Sequence, residues 1–210
     1  MTDKTVAIID YGINNISSFI KAFNKIEVKT EIVDHREKLK NYQHIVLPGV
    51  GSFDSGVNNL IKKNLFDEIK NLTKKGHFIL GICLGMQLLF ETSDESEDNI
   101  KGLSLLEGKS KKLKTHKEKN FIKVPHVGWN NLNIKNKKKI LKDFDNKDDF
   151  YFIHSYYVEP KDIKIISATS QHGLEFPAVI EFENITGIQF HPEKCQINGL
   201  KILEKFSNLK

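Results

Sequence analysis

The stretch GICLG, residues 81–85, sets Cys83 between two glycines, where an apolar strand-like run (FILGI) meets an apolar-periodic helical run (MQLLF). This spacing is the thiol counterpart of the GxSxG nucleophile elbow, in which small flanking residues allow a sharp turn that exposes the central side chain. At a helix N-terminus the unpaired N–H groups stabilise a thiolate, and the N–H of Leu84 is placed to donate to an oxyanion. The competing reading is a buried core cysteine. A second stretch, QFHPEKCQ at 189–196, puts His191, Glu193 and Cys195 at every second position. In an extended strand these side chains share one face, and two arrangements are open: a self-contained set with Cys195 as nucleophile, or a base and its orienter serving Cys83. No elbow or helix terminus is identifiable at Cys195 from the sequence, which favours Cys83. His191 is fixed by Pro192, and Glu193 can accept from the imidazole and hold its tautomer.

Metal ligation is the other chemistry these residue types allow. There is no CxxC, no HExxH and no second cluster of ligand spacing, so no metal and no cofactor is expected. His35, His44, His77 and His116 lie in polar or Lys-rich settings and are read as surface residues.

The elements that must position Cys83 and His191 follow from hydrophobic pattern. TVAIID, HIVLPG and HFILGI read as buried strands; NNISSFIKAFNKI and SGVNNLIKKNLFDEIKNLTKKG read as surface-covering helix. Strand and helix in alternation imply a parallel sheet with right-handed crossovers. Beyond about residue 105, DFYFIHSYYVEP, IKIISATS, FPAVIEFEN and ITGIQFHPE read as antiparallel additions to that sheet, and QINGLKILEKFSNL as a closing amphipathic helix.

A length of 210 residues fits one domain, with no repeat or linker in sight. The net charge of +5 includes one arginine, Arg36, and the Lys-rich GKSKKLKTHKEKN reads as a solvated face, not a nucleic-acid site. No secretory signal is visible, and HFILGICLGMQLLF is too short to span a bilayer, so a cytoplasmic, membrane-free protein with two free thiols is expected.

GICLGMQ (81–87) with FHPEK (190–194) resembles the class I, triad-type glutamine amidotransferases. IDYGINNISS, LPGVGSFDSGV, PHVGWN and DFYFIHSYYV are similar to segments of the glutaminase subunits of imidazole glycerol phosphate synthase, in order and over nearly the full chain. The resemblance implies a single glutamine amidotransferase domain over 1–210, of α/β class: a mostly parallel, flavodoxin-like central sheet flanked by helices, with an antiparallel extension in the C-terminal half. It implies glutamine hydrolysis through a glutamyl thioester, with Cys83 as nucleophile, His191 as base and Glu193 as orienter. Gly49, Gly51 and Leu84 would form the oxyanion site, and Gln87, His154, Ser155 and Tyr156 would hold the amino-acid end of glutamine. A cyclase subunit with a (β/α)8 barrel would be the partner and ammonia acceptor, docked on Asn15, Trp129, Tyr151 and Lys194, with glutaminase activity low until it binds. From the residues alone, Trp129 is equally a core residue or an interface anchor. Cys195 stands where the family commonly has serine, and His172 where Tyr-Gly is common. The alternative acceptor belongs to a paralogous pair that amidinates a bacterial surface sugar.

Overall fold

A computed structural model describes residues 5–13, 15–114, 116–117 and 120–210, without the side chains of 116, 117, 120 and 121. The chain runs β1 (Thr5–Ile9), α1 (Ile16–Lys25), β2 (Lys29–Val33), α2 (Arg36–Leu39), β3 (His44–Leu47), α3 (Phe53–Lys62), α4 (Phe66–Lys74), β4 (Phe78–Ile82) and α5 (Leu84–Leu88). It continues through β5 (Thr92–Ser93), β6 (Gly108–Lys112), β7 (His116–Lys117), β8 (Asn120–Phe121), β9 (His126–Asn131), β10 (Asn133–Ile134), β11 (Asp149–His154) and β12 (Tyr156–Pro160). It ends with β13 (Ile166–His172), β14 (Leu174–Phe182), β15 (Ile185–Ile188) and α6 (Gln196–Ser207).

The main sheet has eight strands in the order β10-β13-β14-β15-β4-β3-β1-β2. From β2 to β15 neighbouring strands pair in parallel, and β14, β13 and β10 are each antiparallel to the strand before them. The expected mostly parallel sheet with an antiparallel extension is therefore present. β3, flanked by β1 and β4, is buried along its whole length. Along β1 the apolar side chains alternate between two cores: Val6 and Ile8 face a cluster that includes Phe19 and Phe23 of α1 and Ile202, Leu203 and Phe206 of α6. Ala7 and Ile9 face the other, with Val57, Leu60, Ile69 and Leu72 of α3 and α4. Each such Ile, Leu or Phe contributes about 1.5–3 kcal/mol by leaving water. Among the described residues no helix is long and apolar enough to cross a membrane.

Several expectations change. The helical stretch over 55–76 is two helices, broken at Asn64, whose φ of 56° is tolerated by asparagine. Leu60, Leu65 and Ile69 are all buried, so the apolar spacing carries across the break and conceals it. DFYFIHSYYVEP does not extend the main sheet: it divides at Ser155, β11 pairing with β9 and β12 with β6 in separate small sheets. ITGI of β15 runs parallel to β4, not antiparallel. His44 is buried, stacked on Phe78 with ring centroids 5.1 Å apart, because β3 is covered on both faces. The Lys-rich face is strand β6 at its start, and the side chain of His116 lies outside the described residues.

Candidate active site

The site sits where β1, β3, β4 and β15 end together. In open α/β sheets this carboxyl edge is where ligands bind. β4 and β15 are in register through Ile82 and Ile188, and the Cys83 N–H donates to Ile188 O at 2.8 Å. The segments leaving both strands are thereby held side by side, over a hundred residues apart in sequence.

Cys83 adopts φ 53° and ψ −109° between β4 and α5, the strained elbow its flanking glycines anticipate. A Cβ at Gly85 would fall 1.8 Å from the carbonyl oxygen of Leu47, so only glycine lets α5 start this close to β3. Cys83 is 6% exposed, less than an elbow residue at the surface would be, because β11 and the His191 turn close over it. It is reached through a pocket of about 280 Å³ lined by Val50, Gly51, Leu84, Gln87, Glu95, Ile153, His154, Ser155, Tyr156 and His191. Four larger clefts, of about 360–560 Å³, are lined without cysteine or histidine.

His191 Nδ1 and Glu193 Oε1 are 2.8 Å apart, with both side chains at most 4% exposed. The segment is a 3-10 turn over Pro192–Lys194 and not an extended strand, since proline's fixed φ suits a first helical position. The turn sends Cys195 elsewhere: its Sγ donates to His191 O at 3.0 Å and accepts from Tyr151 N–H at 3.1 Å, while burial pushes its thiol up to about 12. Burial alone would lower the His191 pKa; the Cys83 sulfur and the Glu193 carboxylate overcome it and raise it to about 10. His191 Nε2 has no partner in hydrogen-bond geometry, although Cys83 is close enough to shift its titration. The Cys83 thiol instead faces Ile153 O at 3.7 Å.

The loop after β3 supplies Val50 and Gly51 to the pocket. The Val50 N–H is engaged by Ile13 O at 3.1 Å. Gly49 lies beneath, where a Cβ would be 2.3 Å from the Tyr11 hydroxyl; that hydroxyl donates to Pro48 O at 2.7 Å and braces the loop. Burial, then the proximity of Cys83, pushes the Tyr11 pKa upward. Gln87 Nε2 donates to Tyr156 O at 3.0 Å, and Leu113 N–H donates to Ser155 O at 2.9 Å.

His154 Nδ1 faces Tyr156 O at 2.9 Å, and a carbonyl only accepts, so this nitrogen carries the proton. Its Nε2 then accepts from His126 Nδ1 at 3.0 Å. Burial holds His154 at about 3, even against the Tyr156 carbonyl; burial and then His172 hold His126 at about 4. Both lie below the ordinary 6.5, so the unfolded chain binds more protons in this interval. Their stabilising contribution is complete above pH 6.5 and is lost as pH falls toward the folded values. The thermal midpoint is therefore expected to drop between pH 7 and pH 4, and His154→Asn to flatten that slope; an unchanged slope would remove the pair from acid stability.

On the outer face of the β9–β11 ribbon, Val127 is opposite Ile153 and Trp129 opposite Tyr151. Trp129 is 45% exposed, meets Tyr151 edge-on at 5.7 Å, and the Lys194 ammonium lies 5.4 Å from the Tyr151 ring centroid. Asn15 is exposed at the start of α1, its Oδ1 accepting from Ser17. Sequence reading missed Tyr11, Glu95, His126 and Gln189. Three of them lay inside stretches already singled out, Tyr11 in IDYGINNISS, His126 in PHVGWN and Gln189 at the head of QFHPEKCQ; Glu95 carried no cue.

A cysteine at a strand-to-helix elbow, on the edge of a mostly parallel α/β sheet and sharing its pocket with the histidine of a buried histidine–carboxylate pair, is an arrangement suited to thiol-dependent hydrolysis. The profile of the family "Glutamine amidotransferase class-I" matches residues 7–208, and the chain belongs to that family. It is 42% identical over 204 residues to imidazole glycerol phosphate synthase subunit HisH of Caldanaerobacter subterraneus subsp. tengcongensis, covering 97% of this chain and 98% of the relative. It is 40% identical over 205 residues to the HisH subunit of Bacillus subtilis, covering 97% and 96%. The structure of PurLQS from Thermotoga maritima has the same fold, with a TM-score of 0.74 at 20% identity over 97% of each chain.

Proposed function

We infer that this chain is the glutaminase subunit of an imidazole glycerol phosphate synthase, acting as one domain over 1–210. Relatives at 42% and 40% identity over nearly the whole chain, each bearing that subunit's name, support the histidine pathway over a surface-sugar acceptor. The observation that carries the chemistry is the buried His191–Glu193 pair facing the Cys83 pocket.

In this reading His191 Nε2 takes the Cys83 proton as Sγ bonds to the glutamine carboxamide carbon. The Leu84 N–H and a loop N–H from Gly49–Gly51 hold the oxyanion. The C–N bond breaks, His191 returns the proton to the departing ammonia, and water hydrolyses the thioester to glutamate and free thiol. Gln87 and the His154–Tyr156 segment hold the amino-acid end, with the carboxylate of Glu95 available to its ammonium. Burial raises the Glu95 pKa against the lowering effect of the Phe53 N–H, and a substrate cation would offset that burial.

Ammonia released into water would be protonated and lose its nucleophilicity, so the product has to pass directly to a cyclase, for which a (β/α)8 barrel is the partner proposed. The Trp129–Tyr151–Lys194 face, continuous with the pocket through Ile153, is the docking surface, with Asn15 as a further contact. Two contacts restrain the chain by itself: Ile153 O holds the thiol, and Ile13 O holds the Val50 N–H. A cytoplasmic location goes with this role. The test is complementation of a histidine auxotroph lacking this subunit, with the cognate cyclase co-expressed. Growth is expected; no growth despite soluble expression of both chains would sink the pathway assignment.

A further inference from the structure

Gln189, the residue that opens QFHPEKCQ, is 0% exposed, and its backbone N–H is fixed to Ala178 O on β14 at 2.9 Å. Its side chain reaches two polar groups. Gln87 Nε2 is 3.4 Å from Gln189 Oε1, and Gln189 Nε2 is 3.6 Å from Cys83 Sγ, a normal reach for a bond to sulfur. The surroundings settle which end of the amide points where. Tyr156 O can only accept, so the Gln87 NH₂ group faces it, and the second proton of that NH₂ is directed at Gln189. Gln189 must meet it with oxygen, which turns its own NH₂ toward the Cys83 sulfur.

The sulfur therefore has two partners of opposite character. Ile153 O accepts only, and favours the S–H form. The Gln189 amide donates only, and favours the form that has lost its proton. An amide neither gains nor loses a proton near neutrality, so this donor persists when the proton moves from Sγ to His191. Being uncharged, it does not displace the imidazolium from the thiolate.

We propose that Gln189 is a further catalytic residue, whose amide N–H stabilises the Cys83 thiolate as it attacks and again as it leaves the acyl group. This rests on Cys83 being the nucleophile. The stabilisation acts on the sulfur and not on bound glutamine, so its loss falls on kcat and leaves KM largely in place.

The test uses the full chain with its cyclase partner and two variants: Gln189→Met, of similar length without a donor, and Gln189→Glu, of the same shape, read at pH 8. Three quantities are measured: kcat and KM for glutamine, the thermal midpoint, and the rate of Cys83 alkylation by iodoacetamide, followed by peptide mapping. The expected result is a kcat lower by about 10- to 100-fold, in the range of a lost hydrogen bond to a charged group. KM should stay within about threefold, and alkylation should slow by about tenfold. Either variant that keeps the parent midpoint together with parent kcat and alkylation rate overturns the proposal. So does a lower kcat with Cys83 alkylated at the parent rate, which would mark a packing role. Hydrolysis retained in Cys83→Ala would overturn the reading of the site itself; an inactive Cys83→Ala beside parent-like Gln189 variants would overturn this inference alone.

Discussion

Cys83→Ala is expected to abolish glutamine hydrolysis in the complex, with kcat falling by on the order of 10⁴ to 10⁶, the scale seen when a covalent nucleophile is removed. The pocket offers no substitute. Cys195 is 2% exposed, with its sulfur committed to His191 O and the Tyr151 N–H. Ser155 and Tyr156 line the pocket, but the group that acts most strongly to raise the His191 pKa is the Cys83 sulfur. Alanine carries the same Cβ as cysteine and meets the same backbone constraint, so the fold should be retained. Cys195→Ser, by contrast, should leave hydrolysis intact. Glutamate release measured with the cyclase present checks both, and hydrolysis in Cys83→Ala within a hundredfold of the parent would remove Cys83 from the mechanism.

Glu193→Gln is expected to lower kcat by on the order of 10³-fold, with little change in KM. The carboxylate accepts from His191 Nδ1 at 2.8 Å and so leaves Nε2 free to take the thiol proton. A glutamine that turns its NH₂ toward Nδ1 inverts that tautomer, and even one that presents oxygen lacks the charge that supports the imidazolium. The sign on pH follows. With Glu193 gone, the pKa of His191 falls from about 10 toward the lower value that burial favours. The imidazolium that hands a proton to ammonia is then lost earlier, and the alkaline limb of the activity profile moves to lower pH. Stability should not suffer, because Glu193 Oε2 is buried without a partner and a neutral group there is easier to desolvate. A kcat loss below tenfold, or a loss that tracks a falling thermal midpoint, would contradict the orienting role.

The parts legible in sequence are those encoded by local pattern. Apolar runs mark β1, β3 and β4 because both faces of each are covered, and two glycines mark the elbow because close approach to β3 allows nothing larger. β2 escaped because it is an edge strand in which only Val33 is fully buried, so its composition is mostly polar. The rest of the site depends on long-range contact. Glu95 meets Phe53 across 42 positions, and Gln189 meets Cys83 across 106. No periodicity reports such a pairing. Cys195 was misleading for the reverse reason: it lies near His191 in sequence, but the 3-10 turn over Pro192–Lys194 sends it to the back of the motif.

The backbone at Cys83 has a consequence for how the protein can be improved. At φ 53° and ψ −109° a residue with a Cβ sits in a sparsely populated region, at a cost of about 1–3 kcal/mol, and glycine would relieve most of it. Selection for heat resistance alone would therefore drift toward glycine at position 83 and yield a sturdier, inert chain. Folding and turnover pull this position in opposite directions, so any gain in robustness that preserves function has to come from elsewhere in the sheet and its helices.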